Sequence, residues 1–87
     1  MPKLEKEVTI KHPQGLHARP AALFVQIASK FDANVIIRKG SEEVNGKSIM
    51  GILMLAAQHQ SKVILRVDGD DAEKALVELE VFLTQEK

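Results

Sequence analysis

Val35–Asn45 reads VIIRKGSEEVN, and this stretch decides the fold. Two β-rich runs, Val35–Lys39 and Glu42–Asn45, flank Gly40-Ser41, a pair suited to a hairpin turn. Upstream, Asp32-Ala33-Asn34 breaks a helical pattern running from Ala18 to Lys30. There Leu23, Ile27 and Phe31 fall four apart, while Ala21, Phe24 and Ala28 widen the stripe. Earlier still, Glu7–Lys11 alternates, with Val8 and Ile10 on one face, and reads as a strand. Downstream, Gly46–Ser48 opens a short, strongly apolar helix over Ile49–Ala57. Lys62–Val67 alternates again, with Val63, Leu65 and Val67 as its core face. Gly69 ends that strand. Asp70 is expected to cap a last helix, with Glu73 in a capping-box relation to it. Ala72, Leu76, Leu79 and Leu83 form its seam, while Glu73, Lys74, Glu78 and Glu80 point away. The order β-α-β-β-α-β-α, with one hairpin inside it, predicts an α+β layer: helices on one face of a mainly antiparallel sheet.

The 87 residues make one small domain, 1–87, with no repeat or linker dividing it. An apolar share of 45% and 28% charged residues suit a globular chain and disfavour disorder. Twelve Lys plus Arg balance twelve Asp plus Glu, a poor footprint for nucleic acid or an anionic membrane. The absence of Cys excludes disulfides, thiol chemistry and cysteine zinc sites. Without Trp or Tyr, and with three Phe, there is little to stack on bases. No apolar run is long enough to span a bilayer, and MPKLEKEV does not read as a signal peptide. A cytoplasmic, soluble domain is expected.

Gly15-Leu16-His17-Ala18-Arg19-Pro20-Ala21-Ala22 carries the chemistry. A loop glycine leads to a histidine at a helix start, where backbone N–H groups lack partners and the dipole is positive. The N–H groups of Ala18 and Arg19 can face an anion beside the His17 ring. Pro20 has no N–H to satisfy and suits a first turn. The Arg19 guanidinium offers two donors to a phosphoryl group. A neutral imidazole in that place would be a competent nucleophile. A histidine in such a place is nevertheless more often a polar cap or an exposed residue. His12, His17 and His59 have no paired metal-ligand spacing, so no metal is expected. His12 reads as loop surface, and His59 as a C-terminal cation for the second helix.

Gly15–Phe31, GLHARPAALFVQIASKF, together with Val44–Ala57, VNGKSIMGILMLAA, resembles the histidine-containing phosphocarrier family, HPr, of the bacterial phosphoenolpyruvate-dependent phosphotransferase system. The likeness spans nearly the whole chain. It implies an open-faced β-sandwich, four antiparallel strands covered on one face by three helices. It implies that His17 accepts a phosphoryl group on Nδ1 from Enzyme I and passes it to an EIIA protein, with Arg19 as the active-site arginine. No cofactor is implied, and the chain is a stoichiometric carrier rather than an enzyme. A monomer is expected.

Ser48 is an expected N-cap of the second helix. The KSIMG pattern at Lys47–Gly51 further implies regulatory phosphorylation of Ser48 by HPr kinase/phosphorylase. The second helix is apolar nearly all round, so Ile52, Leu55 and Ala56 are assigned to the core. Ile49, Met50 and Leu53 are assigned to an exposed docking patch beside His17, with Lys47, Leu16 and Ala22 extending it. Two departures stand out. Many family members carry Gly just past the second helix, where this chain has Gln58-His59-Gln60-Ser61. A helix without that glycine ends differently, or sets a non-glycine residue at positive φ. ILML also replaces the VMSL-like segment common in sugar-system members, so a regulatory or nitrogen-related branch competes with sugar uptake. A Ser48-phosphorylated module binding a transcriptional regulator, and a small nucleic-acid binder, are weaker alternatives.

Overall fold

A computed structural model describes residues 3–86. Its elements are β1 (Lys3–Thr9), α1 (Ala18–Ser29), β2 (Asn34–Lys39), β3 (Glu42–Asn45), α2 (Ile49–Leu55), β4 (Lys62–Asp68) and α3 (Ala72–Leu83). The four strands form one antiparallel sheet in the order β1-β4-β2-β3. Only β2 and β3 are joined by the hairpin. The register pairs Val8 with Val63, Val35 with Val67 and Ile37 with Leu65, a buried ladder on one face. The opposite face presents Glu5, Arg66 and Asn45 among others, and an exposed ion pair joins Arg66 to Glu43 at 3.0 Å. This is the one-sided alternation of an antiparallel sheet with a covered and a solvated face.

The helices fill the covered side, but not always along the stripes expected. In α1 the buried residues are Pro20, Ala21, Phe24 and Ala28, whereas Leu23 is exposed and Ile27 and Phe31 half-buried. The helix is therefore rotated toward its small side chains and Phe24. In α3, Ala72, Ala75, Leu79, Phe82 and Leu83 are buried, Leu76 is half-buried, and Val77 and Val81 are exposed.

Two boundaries differ from expectation. β1 runs over Lys3–Thr9 rather than Glu7–Lys11, because it pairs with β4 along its whole length. Lys6 lies on the covered face of this edge strand, and its ammonium reaches Glu80 of α3 at 2.8 Å instead of entering the core. At the start of α3 the capping position belongs to Asp71, not Asp70, and its carboxylate does not cap its own helix. It accepts instead from the backbone N–H groups of Asp32 and Ala33, each at 2.9 Å. These bonds, led by the one from Asp32, hold the Asp71 carboxyl below its ordinary pKa of 3.8. Asp71 thus ties the α1–β2 turn to α3. Lys30 pairs with Glu78 nearby.

Candidate functional site

His17 stands at the N-cap of α1 in extended conformation, φ −119° and ψ 156°, and its side chain caps nothing. It is exposed, as are Ala18 and Arg19. Ala18 and Arg19 come too early in the helix for their N–H groups to find a partner within it. The first bond of the turn is Ala21 N–H to the His17 carbonyl, at 3.4 Å. Ala18 has φ +44°, a left-handed conformation in a residue with a side chain, so backbone strain adjoins His17. Two buried neighbours hold the segment down: Leu16, with no exposed surface, and Pro20. Burial of a leucine is worth about 1.5–3 kcal/mol, enough to offset roughly 1–2 kcal/mol of strain at one left-handed residue.

Contrary to the sequence expectation, Leu16 therefore does not extend an exposed docking patch. A leucine between a loop glycine and a surface histidine is the plug of the loop. Its N–H donates to the carbonyl of Ala57 at 2.8 Å, joining the His17 loop to the segment after α2. That segment ends the helix without glycine: α2 stops at Leu55, and Ala56 takes φ +53° as its C-cap. Gln60 follows with φ +73°. The second alternative for the helix end, non-glycine residues at positive φ, is the one adopted. Ala56 is half-buried at this turn rather than a core residue of the helix, and Ala57 is fully buried. His59 lies beyond the helix and does not serve its C-terminus. Lys39 supplies that cation, its ammonium donating to the Ala56 carbonyl at 3.3 Å. His12 is half-buried, its ring 5.8 Å from that of Phe82, rather than free loop surface.

Ser48 caps α2 as expected, its hydroxyl accepting from Gly51 N–H at 3.0 Å. Gly51 sits against Val44 and Asn45, where a Cβ would lie 3.2–3.3 Å from their atoms. Lys47 is not a free docking residue: it is half-buried and its ammonium donates to the Phe31 carbonyl at 2.6 Å. These contacts orient α2. Its start lies at the C-terminal end of α1, through Lys47 and Phe31, and its end lies at the His17 loop, through Ala57 and Leu16. The helices run antiparallel, so Ser48 and the His17 loop stand at opposite ends of a seven-residue helix, about 10 Å long at the usual rise.

Between them Ile49, Met50, Leu53 and Met54 are exposed by 43%, 64%, 39% and 69%, an apolar strip that joins the two ends. Met54 was missed because an apolar helix offers no polar face to mark its outer side. It lies in the last turn of α2, toward the His17 loop. Ala22 is half-buried on α1. A cleft of about 490 Å³ lies between Phe31 and α3, and another of about 360 Å³ on the solvated sheet face by Lys3, Arg66 and Asp68. Neither is lined by His17, Arg19 or Ser48. The imidazole is presented on open surface. No helix among the described residues is long and apolar enough to cross a membrane.

Residues 4–85 match the family model for the HPr component phosphorylation site of the phosphotransferase system. The chain belongs to the HPr family of phosphocarrier proteins. A crystal structure of phosphocarrier protein HPr from Bacillus anthracis strain Ames superposes with a TM-score of 0.91 at 44% identity, over 93% of this chain and 96% of that one. The HPr-like protein Crh of Halalkalibacterium halodurans is 43% identical over 95% of this chain and 99% of its own. Crh of Bacillus subtilis, crystallised as a swapped dimer, is 40% identical with a TM-score of 0.77, over 95% of each chain. The open-faced sandwich of the HPr family is thus the fold observed here.

Proposed function

We propose that this HPr-family protein carries phosphoryl groups in the phosphoenolpyruvate-dependent sugar phosphotransferase system, from Enzyme I to an EIIA protein, through Nδ1 of His17. One observation carries the proposal: an exposed imidazole at the N-cap of α1 that makes no capping bond and, among the described residues, no other side-chain hydrogen bond, two positions before the exposed Arg19. Nδ1 attacks phosphorus, the bond from phosphorus to the donor breaks, and its electron pair leaves with the donor. The reverse step delivers the group to the acceptor. Positioning and charge stabilisation are most of what such a transfer requires. The N–H groups of Ala18 and Arg19 and the Arg19 side chain supply the positive field that stabilises the phosphoryl oxygens. The chain is loaded and unloaded stoichiometrically and needs no cofactor of its own.

Ile49, Met50, Leu53 and Met54, with Ala22, form the surface on which partners dock. Phosphorylation of Ser48 by HPr kinase/phosphorylase places roughly −1.5 to −2 charges at one end of that strip and slows loading of His17. The protein works as a cytoplasmic monomer. A second reading keeps the same chemistry in a regulatory branch without sugar uptake. It is favoured by the two Crh relatives, one described as a catabolite repression protein.

The test is incubation with labelled phosphoenolpyruvate, Mg²⁺ and Enzyme I, comparing wild type with His17→Ala. Acid-labile, base-stable label on wild type alone is the expected result. No label on wild type, with Enzyme I shown to be charged, would end the carrier reading. Passage of the label to sugar-specific EIIA proteins then separates the sugar branch from the regulatory one.

A further inference from the structure

Phosphoryl transfer demands a fixed nucleophile, yet among the described residues no hydrogen bond from the His17 side chain holds its ring. Its placement falls to the backbone on either side. Downstream, the first helical bond is long, 3.4 Å, and Ala18 is strained. Upstream, the chain is clamped. Gly15 has φ +66°, and a Cβ on it would lie 2.6 Å from the Ala57 carbonyl oxygen, 3.0 Å from Gln58 Cα and 3.1 Å from His59 N. All three are backbone atoms, which cannot swing aside as a side chain can. Gly15 N–H donates to the His12 carbonyl at 3.0 Å, and Leu16 N–H to that of Ala57 at 2.8 Å. The receiving segment is itself fixed to the sheet end: Gln60 N–H donates to Ile10, Ile10 N–H to Ser61, and Lys39 reaches Ala56.

We infer that Gly15, through its seat on the Ala57–His59 backbone, is a positioning residue for phosphoryl transfer at His17. This rests on the carrier reading above. The glycine is needed twice, for a left-handed φ and for an approach that no side chain permits. The bond from Leu16 to Ala57 then sets how far the His17 Cα stands from the end of α2. Because Leu53 and Met54 lie in the last turn of α2, the surface that receives a partner and the seat that aims the ring belong to one rigid unit. Docking and aiming are thereby referred to the same helix.

Gly15→Ala separates the two. Its Cβ must lift the loop off Ala57 while leaving the docking strip intact. In loading by Enzyme I, the maximal rate is expected to fall on the order of tenfold or more, since small misplacements of a reacting atom are costly. The KM for the carrier should change by less than about threefold, because docking is untouched. Replacing the Leu16 amide by an ester deletes the donor to Ala57 without adding bulk, and is expected to lower the same rate while the chain remains folded. NMR should confine shift changes in both variants to residues 11–18 and 56–61. Wild-type rates in both folded variants would overturn the inference, as would a loss confined to KM. If Gly15→Ala does not fold, the ester alone decides. If Enzyme I does not load wild type, the carrier reading fails separately. Chemical phosphorylation of His17 by phosphoramidate then reads the aim of the ring: a changed rate in the variants supports the inference, and an unchanged one overturns it.

Discussion

The N-termini of α1 and α2 are built from similar sequence, a polar residue ahead of an apolar helix, and are finished in opposite ways. At α2 the Ser48 hydroxyl accepts from Gly51 N–H, so the helix end is closed by its own side chain. At α1 the His17 side chain makes no capping bond, and the N–H groups of Ala18 and Arg19 precede the first bond of the helix. A closed terminus stabilises the fold, while an open one keeps its positive field for an incoming anion. On the proposed regulation of Ser48, a phosphate there would enter a terminus that already favours negative charge, so the fold is expected to persist while the surface changes.

The sharpest way to break the comparison is at Arg19. Arg19→Ala should leave the melting temperature within about 1 °C, since an exposed residue in no ion pair among the described residues contributes little. Phosphoryl uptake measured with Enzyme I should fall on the order of 10²-fold, the loss typical of removing one charge-stabilising donor. Arg19→Lys should recover only part of it, because an ammonium lacks the two-pronged geometry. An Arg19→Ala variant that loads normally would mean that the open terminus suffices by itself.

At the other terminus the effects should reverse. Ser48→Ala is expected to lose about 1 kcal/mol in denaturant unfolding, the usual worth of an N-cap, while His17 loads at the wild-type rate. Ser48→Asp should keep the cap and slow loading instead. If Ser48→Ala also slows loading, the two ends are coupled through α2, and the division between a structural and a reactive terminus fails.

How far this was legible beforehand depends on what each segment reports. Strand alternation and the hairpin at Gly40-Ser41 placed the sheet, and the Gly15–Ala22 string placed His17 and Arg19 at the start of α1, because period and motif survive without tertiary context. Lys3–Lys6 hid half of β1, since three charges in four residues look like solvent-facing chain until an edge strand and Glu80 are available to hold Lys6. Leu16 and Lys47 were assigned to the surface because a lone loop residue has no periodicity to show which way it faces. Tertiary contacts decide both: Leu16 is buried under the loop, and Lys47 is held by the Phe31 carbonyl. Asp71 was passed over for Asp70 because local capping rules cannot see acceptance of N–H groups from the α1–β2 turn.

That latch gives a pH-dependent prediction. The folded-state pKa of Asp71 is depressed, chiefly by the N–H of Asp32, so its contribution to stability is present above the unfolded value of 3.8 and is lost as pH falls through the folded one. Asp71→Asn keeps the shape but can offer only one oxygen to two N–H donors. The variant should unfold at lower denaturant than wild type at pH 7, with the difference narrowing as the solution is acidified below the carboxylate range. A constant difference from pH 7 to pH 2 would show that the charge on Asp71 contributes nothing and that its shape alone ties the turn to α3.

The smallest expected effect tests whether strain has the same meaning at the two ends of the His17 seat. Ala18 and Ala56 both take left-handed φ, +44° and +53°. Glycine at either position removes the steric conflict of roughly 1–2 kcal/mol but adds unfolded-state entropy of about 0.4–1 kcal/mol. A net gain of about 0.5 kcal/mol is therefore expected for Ala56→Gly, read as a small rise in the denaturation midpoint. Its loading rate should be unchanged, because the carbonyl of Ala57 still receives Leu16. Ala18→Gly should gain similar stability yet load more slowly, since freedom gained there is freedom of the residue adjoining His17. Equal loading by both variants would mean that the Leu16–Ala57 bond holds the ring on its own and that strain at Ala18 has no part in aiming it.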